Sequence, residues 1–169
     1  FVNHFVENGS DVTLLLINKE GDFISLLNPK VKLKEFATDN KLKYLSELTT
    51  ELVNGKYDIM FTATPTLNVL SVLARNNAKT NTKIIISERS DTIHEFKTGG
   101  FTLFKVLFLL IPYAYRSADA IVAVSQGVAD ILCKIPFIPK SKVNVIYNPA
   151  FNTGMLEQMQ EPVDEPWLI

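Results

Sequence analysis

Short apolar runs alternate along the chain with segments of helical periodicity. Four mostly apolar runs predict buried strands, namely Val12–Ile17, Tyr57–Phe61, Lys83–Ile86 and Ala120–Val124. A looser alternation of apolar residues with lysines, at Val31, Leu33 and Phe36, predicts a half-buried strand near a sheet edge. A last strand is predicted in the segment SKVNVIYNPA, which covers residues 141–150.

Helices are predicted between these strands. One carries a leucine stripe at helical spacing and ends at Asn54-Gly55; the stripe is Leu42, Leu45, Leu48 and Leu52. The next begins at Thr64 as N-cap and Pro65 as first helical residue, with Leu67, Leu70 and Leu73 as its buried stripe. The N-terminal residues end a further helix at Asn8-Gly9, and Ser125 is placed to cap the helix after the Ala120–Val124 strand.

Regular alternation of strand and helix favours parallel strands joined by right-handed crossovers. The predicted fold class is therefore α/β, a doubly wound Rossmann-like sheet with helices on both faces. A length of 169 residues with 47% hydrophobic residues is sufficient for one such core. We expect this domain to cover residues 1–150, with its start truncated inside an element. Residues 151–169, acidic and interrupted by prolines, then form a linker and the first residues of a second domain.

Composition narrows the classes of function. A formal net charge of −1 gives no basic field for nucleic acid, so nucleic acid is not an expected partner. One cysteine and two histidines form neither a disulfide framework nor a metal-ligand spacing, so no metal is expected. This cysteine usage is typical of a reducing compartment, which predicts a cytoplasmic location. The chain also lacks a P-loop and a GxSxG elbow.

Polar residues follow three of the predicted parallel strands. Thr62 and Thr64 follow one, the segment beginning Ser87-Glu88 follows the next, and Ser125 follows the third. Ligands of an open parallel sheet bind beyond the carboxyl ends of its strands, so these side chains are candidates for one crevice. The alternative for Thr64 and Ser125 is that each is only a helix cap.

The polar loop SERSDTIHEFK, residues 87–97, is the segment richest in candidate chemistry. Glu88 and Arg89 either contact a substrate or form a structural ion pair that holds the loop. His94 is a candidate for proton transfer or for a hydrogen bond to a sugar hydroxyl, because its ordinary pKa lies near neutrality. The alternative is that His94 is a bystander in a solvated loop.

Residues 97–116 contain an apolar run that is too short to cross a bilayer. The run from Phe101 to Ile111 is interrupted by Lys105, whereas a spanning helix needs about 20 residues. It forms either a buried helix, which we favour, or a peripheral contact with the inner face of a membrane. Pro112 is expected to kink or divide the helix that covers 101–116.

Three consecutive motifs carry a family resemblance. They are the SER start of the polar loop, the strand-helix unit ADAIVAVSQGVADIL and the strand SKVNVIYNPAF. In order and spacing they resemble the N-terminal, acceptor-side domain of family-4 glycosyltransferases of the GT-B type. In that family two Rossmann-like domains face each other across a cleft, and the C-terminal one mainly holds the nucleotide-sugar.

The resemblance implies transfer of a sugar from a nucleotide donor, UDP-linked by expectation, to a glycan or lipid-linked acceptor with retention of configuration. It places such a reaction in polysaccharide or cell-envelope glycan synthesis and requires no metal or other cofactor. The resemblance implies acceptor contacts for Glu88, Arg89 and His94, with His94 also the catalytic candidate, and it puts Ser125 in the inner wall of the cleft. Thr62 and Thr64 are added to the expected acceptor-binding residues because they follow a strand at the same edge. The hinge between domains is implied at Asn148 and Pro149.

Because the donor site belongs to the second domain, this chain alone is expected to be inactive. The sequence leaves two alternatives open. One is half of a GT-B nucleotide-sugar epimerase, which shares the fold but not the transfer reaction. The other is a Rossmann-like binding or scaffold module without enzymatic activity. The oligomeric state cannot be predicted from the sequence.

Overall fold

The computed structural model describes residues 1–17, 21–36, 38, 40–90 and 107–148. Helices and strands alternate through these residues as predicted. The helices are α1 (Val2–Glu7), α2 (Lys41–Gly55), α3 (Pro65–Ala78), α4 (Ile111–Ser117) and α5 (Gln126–Leu132). The strands are β1 (Thr13–Leu16), β2 (Lys32–Glu35), β3 (Ile59–Ala63), β4 (Lys83–Glu88), β5 (Ala120–Ala123) and β6 (Val143–Val145). Short 3₁₀ helices at Asp22–Leu26 and Lys140–Lys142 precede β2 and β6.

All the described strand pairs are parallel, which confirms the α/β class. The strands form two ladders, β1-β2 and β3-β4-β5-β6. In the larger ladder Ala63 lies opposite Ser87, and Glu88 lies opposite Ala123. The β2 strand at Lys32–Glu35 confirms the half-buried strand predicted near Val31–Phe36, since only Leu33 of its four residues is shielded from solvent.

Helices cover both faces of the larger ladder. Alternate residues of a strand face opposite sides of its sheet, and β3 shows both sides in contact with helices. Thr62 on one side is hydrogen-bonded to Asn68 of α3. Phe61 on the other side packs against Phe1 at the start of α1, with ring centroids 5.0 Å apart. The main core lies on the α3 side, between β4, β5 and helices α3, α4 and α5.

A second core cluster joins β1 to α2 and α3. Its buried residues are Phe36, Tyr44, Leu48, Leu52, Leu70 and Ala74. The predicted stripe of α2 is wrong at Leu42, which is 72% exposed. The buried face is formed instead by Tyr44, Leu48, Glu51 and Leu52. Tyr44 packs edge-on against Phe36, so the first turn of the helix buries Tyr44 and leaves Leu42 on the exposed side.

Helix α3 is more deeply buried than its leucine stripe predicts. Leu70 is buried, but Leu67 and Leu73 are only partly so, whereas Asn68, Val69 and Val72 are fully enclosed. The helix is enclosed because it lies between the two clusters and against α2 and α4. Of the long helix predicted over 101–116, residues 101–106 lie outside the described part. A new helix begins at Ile111, with Pro112 in its first turn, which confirms the predicted division.

The Glu51 carboxylate of α2 links this helix to Lys34 of β2 and to Tyr57, beside the second cluster. The Glu51 carboxylate accepts hydrogen bonds from the Lys34 ammonium and, at 2.6 Å, from the Tyr57 hydroxyl. Burial by itself raises the pKa of Glu51, but the hydrogen bond from Lys34, the one from Tyr57 and the Lys34 charge together lower the pKa below its ordinary 4.5. The same hydrogen bond raises the pKa of Lys34 above 10.5.

Because the pKa of Glu51 is lowered in the folded state, the stability of the fold depends on pH in the acid range. A carboxyl whose pKa is lower in the folded state stabilises the fold fully above its unfolded pKa, and this contribution is lost as the pH falls through the folded pKa. We therefore expect Glu51→Gln to destabilise the protein at pH 7 and to lose less stability than the wild type as the pH falls below 4.5. Urea unfolding at a series of pH values measures the free energy of unfolding of both proteins. Glu47→Gln is the control, because the exposed Lys43 partner of Glu47 lies 3.7 Å away. Equal pH profiles for the two variants would refute this role for Glu51.

Gly55 ends α2 where a side chain has no room. The left-handed residue after the helix is Lys56, with φ of 49°, and not Gly55 itself. A Cβ atom on Gly55 would lie 2.2 Å from the ring of Tyr57. Glycine is therefore required here by the close approach of an aromatic ring whose hydroxyl is held by Glu51.

We expect Gly55→Ala to lower the free energy of unfolding by about 1–3 kcal/mol, because the Tyr57 ring must move. Gly127→Ala in α5 is the matched control. A Cβ atom there meets nothing nearer than Ser125 Oγ at 3.9 Å, so the helix propensity of alanine should leave stability unchanged or slightly higher. Chemical denaturation of both variants measures the difference, and similar effects at the two sites would contradict the steric explanation.

Candidate functional site

The polar ends of three strands lie side by side at the carboxyl edge of the larger ladder. Strands β3, β4 and β5 are consecutive neighbours in it, and all three are parallel. The segments that follow them begin at Thr64, Arg89 and Val124 respectively. The geometry expected from the sequence, one polar edge formed by three strand ends, is therefore present.

Beneath this edge lies a buried hydrogen-bond network centred on Asn68 of α3. The Asn68 side-chain carbonyl accepts a hydrogen bond of 2.6 Å from the Thr62 hydroxyl. Its amide nitrogen lies 2.9 Å from a Glu88 carboxylate oxygen, 3.1 Å from the Tyr115 hydroxyl and 3.3 Å from the Ser87 carbonyl. The Tyr115 hydroxyl donates to the same carboxylate oxygen of Glu88. The network thus links β3, β4, α3 and α4 at the carboxyl edge.

Burial separates the candidate residues into two groups. Glu88 is fully buried and Thr62 is 7% exposed, so both side chains lie inside the network. Arg89 and Thr64 are exposed, and Ser125 is partly exposed. Asn148, the described half of the predicted hinge, is exposed just beyond β6. His94 and Pro149 lie outside the described residues.

The two candidate caps behave differently. Ser125 Oγ accepts a hydrogen bond of 3.2 Å from the Val128 amide, so Ser125 caps α5 as predicted. Thr64 stands at the N-cap position of α3, but its side chain makes no capping hydrogen bond. Its φ of 85° is a conformation that residues other than glycine adopt at a cost of about 1–3 kcal/mol. Thr64 is thus held in a strained backbone at the edge where ligands of such sheets bind.

Two residues of the network were missed by the sequence reasoning. Asn68 and Tyr115 are both fully buried and both contact Glu88. The sequence does not single out Asn68, since Ser71 is a second polar residue among the apolar positions of the same helix and is buried as well. Nothing local distinguishes Tyr115 from Tyr113, which is 52% exposed on the same helix.

Chemically, the edge combines a fixed interior with a hydrogen-bonding rim. The buried Glu88 carboxylate accepts hydrogen bonds from the Asn68 amide and the Tyr115 hydroxyl, and the rim presents the guanidinium of Arg89 and the hydroxyls of Thr64 and Ser125. Such groups suit a ligand rich in hydroxyls or one that carries negative charge. Within the described residues no group of histidine, cysteine or acidic side chains could hold a metal ion. Among the same residues no helix is long and apolar enough to span a membrane.

The parallel ladders, the helices on both faces and the polar carboxyl edge define a Rossmann-like α/β domain, a class whose ligands bind beyond the carboxyl ends of the strands. The family model described as Glycosyltransferase Family 4 matches residues 1–150. The chain therefore belongs to glycosyltransferase family 4, which confirms the resemblance seen in its motifs. No curated protein matches the chain.

Solved structures agree with this fold. The apo form of the lipopolysaccharide outer core galactosyltransferase WaaB superposes with a TM-score of 0.64 at 17% identity, over 88% of this chain and 40% of that one. A glycosyltransferase from Rickettsia africae ESF-5 gives 0.58 at 16% identity, over 98% of this chain and 45% of that one. The chain thus spans less than half the length of either relative, and at these identities the likeness shows the fold alone.

The network predicts that two tyrosines of α4 differ in importance. Tyr115→Phe leaves the buried Glu88 carboxylate without its hydroxyl donor, and we expect a loss of about 1–3 kcal/mol in the free energy of unfolding. Tyr113→Phe is the matched control, because Tyr113 only accepts a hydrogen bond of 3.0 Å from exposed Asn76. Its cost should stay within about 0.5 kcal/mol. Equal losses in urea unfolding would show that Glu88 does not depend on Tyr115.

Proposed function

We propose that this domain binds the acceptor in a retaining glycosyltransferase that transfers a sugar from a nucleotide-sugar to a glycan or lipid-linked acceptor. The donor is proposed to be a UDP-sugar held mainly by a second domain, with no metal required. The observation that carries the proposal is the polar carboxyl edge in a chain that belongs to glycosyltransferase family 4. We place the reaction in polysaccharide or cell-envelope glycan synthesis.

Burial suggests which candidate residues contact the acceptor and which ones hold the loop in place. Arg89, Thr64 and Ser125 have side chains that an acceptor can reach, so we assign them to direct contact. Glu88 and Thr62 are enclosed, and we assign them to holding the start of the polar loop through Asn68 and Tyr115. His94 stays our candidate for the catalytic histidine, and Asn148 and Pro149 our candidates for the hinge.

Arg89 is the residue that best tests acceptor binding, because it is exposed directly beyond β4 while its neighbour Glu88 is buried. In the full-length protein we expect Arg89→Ala to raise the KM for the acceptor roughly tenfold or more, the effect of losing about 1.4 kcal/mol of binding. The KM for the nucleotide-sugar should stay unchanged. Acceptor-dependent release of UDP, measured over a panel of UDP-sugars and oligosaccharide or lipid-linked acceptors, provides both constants.

Arg116→Ala is the matched control. Arg116 is exposed in the last turn of α4, and the chain from there enters the amino end of β5, away from the carboxyl edge. Its loss should alter neither KM. An unchanged acceptor KM for Arg89→Ala would contradict the assignment of Arg89. Absence of acceptor-dependent UDP release by the wild-type protein across the panel would contradict the proposed reaction, and NMR of the product's anomeric configuration would test retention.

A further inference from the structure

A groove of about 580 Å³ opens at the amino edge of the larger ladder, opposite the polar carboxyl edge. Its walls come from the end of α2 with residues 56–59, and from residues 79–83, which join α3 to β4. The two walls are neighbours because Ile59 pairs with Lys83, whose amide donates to the Asp58 carbonyl at 2.9 Å. Ligand pockets in proteins measure about 300–1,000 Å³, so the groove has room for a small molecule.

Positive charge dominates the lining of this groove. Lys56, Lys79 and Lys83 line it with exposed side chains, and Asp58 is the acidic residue beside them. Three positive charges thus face one negative charge. A concave site with such a surplus of one sign concentrates ligands of the opposite sign. The groove therefore favours an anion.

The same sign of charge continues along the rest of the amino edge. We compared the segments that run from a helix end to the first residue of β3, β4, β5 or β6. They contain six basic residues, Lys56, Lys79, Lys83, Lys134, Lys140 and Lys142, and two acidic ones, Asp58 and Asp119. The whole chain, by contrast, has a net charge of −1. This local field attracts anions to the edge over a screening length of about 10 Å.

Two of the groove lysines occupy positions that favour glycine. Lys56 and Lys79 directly follow α2 and α3, and both have a left-handed backbone, with φ of 49° and 52°. Glycine is common there because other side chains adopt this conformation at a cost. Interaction with the helix dipole is the structural explanation for a lysine at a helix end. It does not apply to Lys83, which begins β4.

Apolar surface lies beside the charged groups. Val53 and Ile59 also line the groove, and they are 49% and 56% exposed. The organic part of a ligand would remove this surface from water. A concave site of this size suits a small molecule that enters it, whereas the headgroups of a membrane form a broad, flat array.

We propose that the groove at the amino edge binds a small soluble organic compound that carries phosphate groups. Lys56, Lys79 and Lys83 contact the phosphates, and Val53 and Ile59 contact the organic part. The site lies at the edge opposite the candidate acceptor residues, and the inference does not rest on the proposed sugar transfer.

Hydrogen exchange of the full-length protein, with inorganic pyrophosphate as the probe, tests the proposal. UDP is present throughout, so that a nucleotide site elsewhere in the protein is occupied. We expect pyrophosphate to slow exchange in residues 79–83 in a saturable way, and salt to weaken the effect. Unchanged exchange there at millimolar pyrophosphate would overturn the proposal. Slower exchange with phosphatidylglycerol vesicles but not with pyrophosphate would overturn the assignment to a soluble compound.

Lys79→Gly separates ligand binding from stability. The change removes one ammonium group and relieves the left-handed backbone, so we expect the Kd for pyrophosphate to rise about tenfold or more. The melting temperature should stay the same or rise. Lys140→Gln is the matched control, because Lys140 is exposed at the same edge but stands before β6, outside the groove. An equal rise in Kd for both variants, or an unchanged Kd for Lys79→Gly, would overturn the proposal.

Asp58→Asn should change the affinity in the opposite direction. Its carboxylate repels a phosphate in the groove, so its neutralisation should lower the Kd for pyrophosphate roughly threefold or more. Asp130→Asn is the control, since Asp130 is exposed on α5 and outside the groove lining. A Kd that is unchanged or higher for Asp58→Asn would contradict binding of the anion beside this residue.

Discussion

A single buried amide, that of Asn68, connects the elements that meet at the carboxyl edge. It accepts from Thr62 on β3 and reaches the Ser87 carbonyl, the Glu88 carboxylate and the Tyr115 hydroxyl. A buried carboxylate is costly unless its oxygens are hydrogen-bonded, so the Asn68 amide and the Tyr115 hydroxyl both help to keep Glu88 in the interior. The end of β4, and with it the start of the polar loop, is thereby fixed to α3 and α4.

At the opposite edge of the sheet, α3, α4 and β4 are joined by an ion pair and by hydrogen bonds to main-chain groups. Arg75 of α3 pairs with Asp119 at 3.2 Å and donates to the Ser117 carbonyl at 2.9 Å, and Asp119 also accepts from the Ile84 amide at 2.8 Å. Lys142 donates to the Ala118 carbonyl just beyond α4, where a positive charge also complements the helix dipole. Because α4 is anchored at its end in this way, Tyr115 is held where its hydroxyl reaches Glu88.

The sequence was sufficient for the parts of the fold that depend on local pattern. Apolar runs located the strands, Pro112 marked the division of the predicted helix and Ser125 marked a helix start, because proline geometry and capping act over a few residues. The contacts of Asn68 and Tyr115 could not be predicted in this way, since they join residues 47 positions apart. The exposure of Leu42 was missed for the same reason, because the contact of Tyr44 with Phe36 decides which face of α2 is buried.

The same distinction explains why the sequence could locate the candidate site but could not separate its buried residues from its exposed ones. Order along the chain puts Thr62, Glu88 and Ser125 at or just beyond the carboxyl ends of three strands, and the parallel pairing of these strands brings their ends together. Chain order does not show which side chain points inwards, because Glu88 and Arg89 are adjacent and both charged. Packing against α3 and α4 buries Glu88 and leaves Arg89 exposed. A buried polar network specifies one arrangement only when all its members are satisfied. Changes to the exposed rim can therefore alter the polar surface of the edge without disturbing the strands, whereas changes to the buried group act first on the fold.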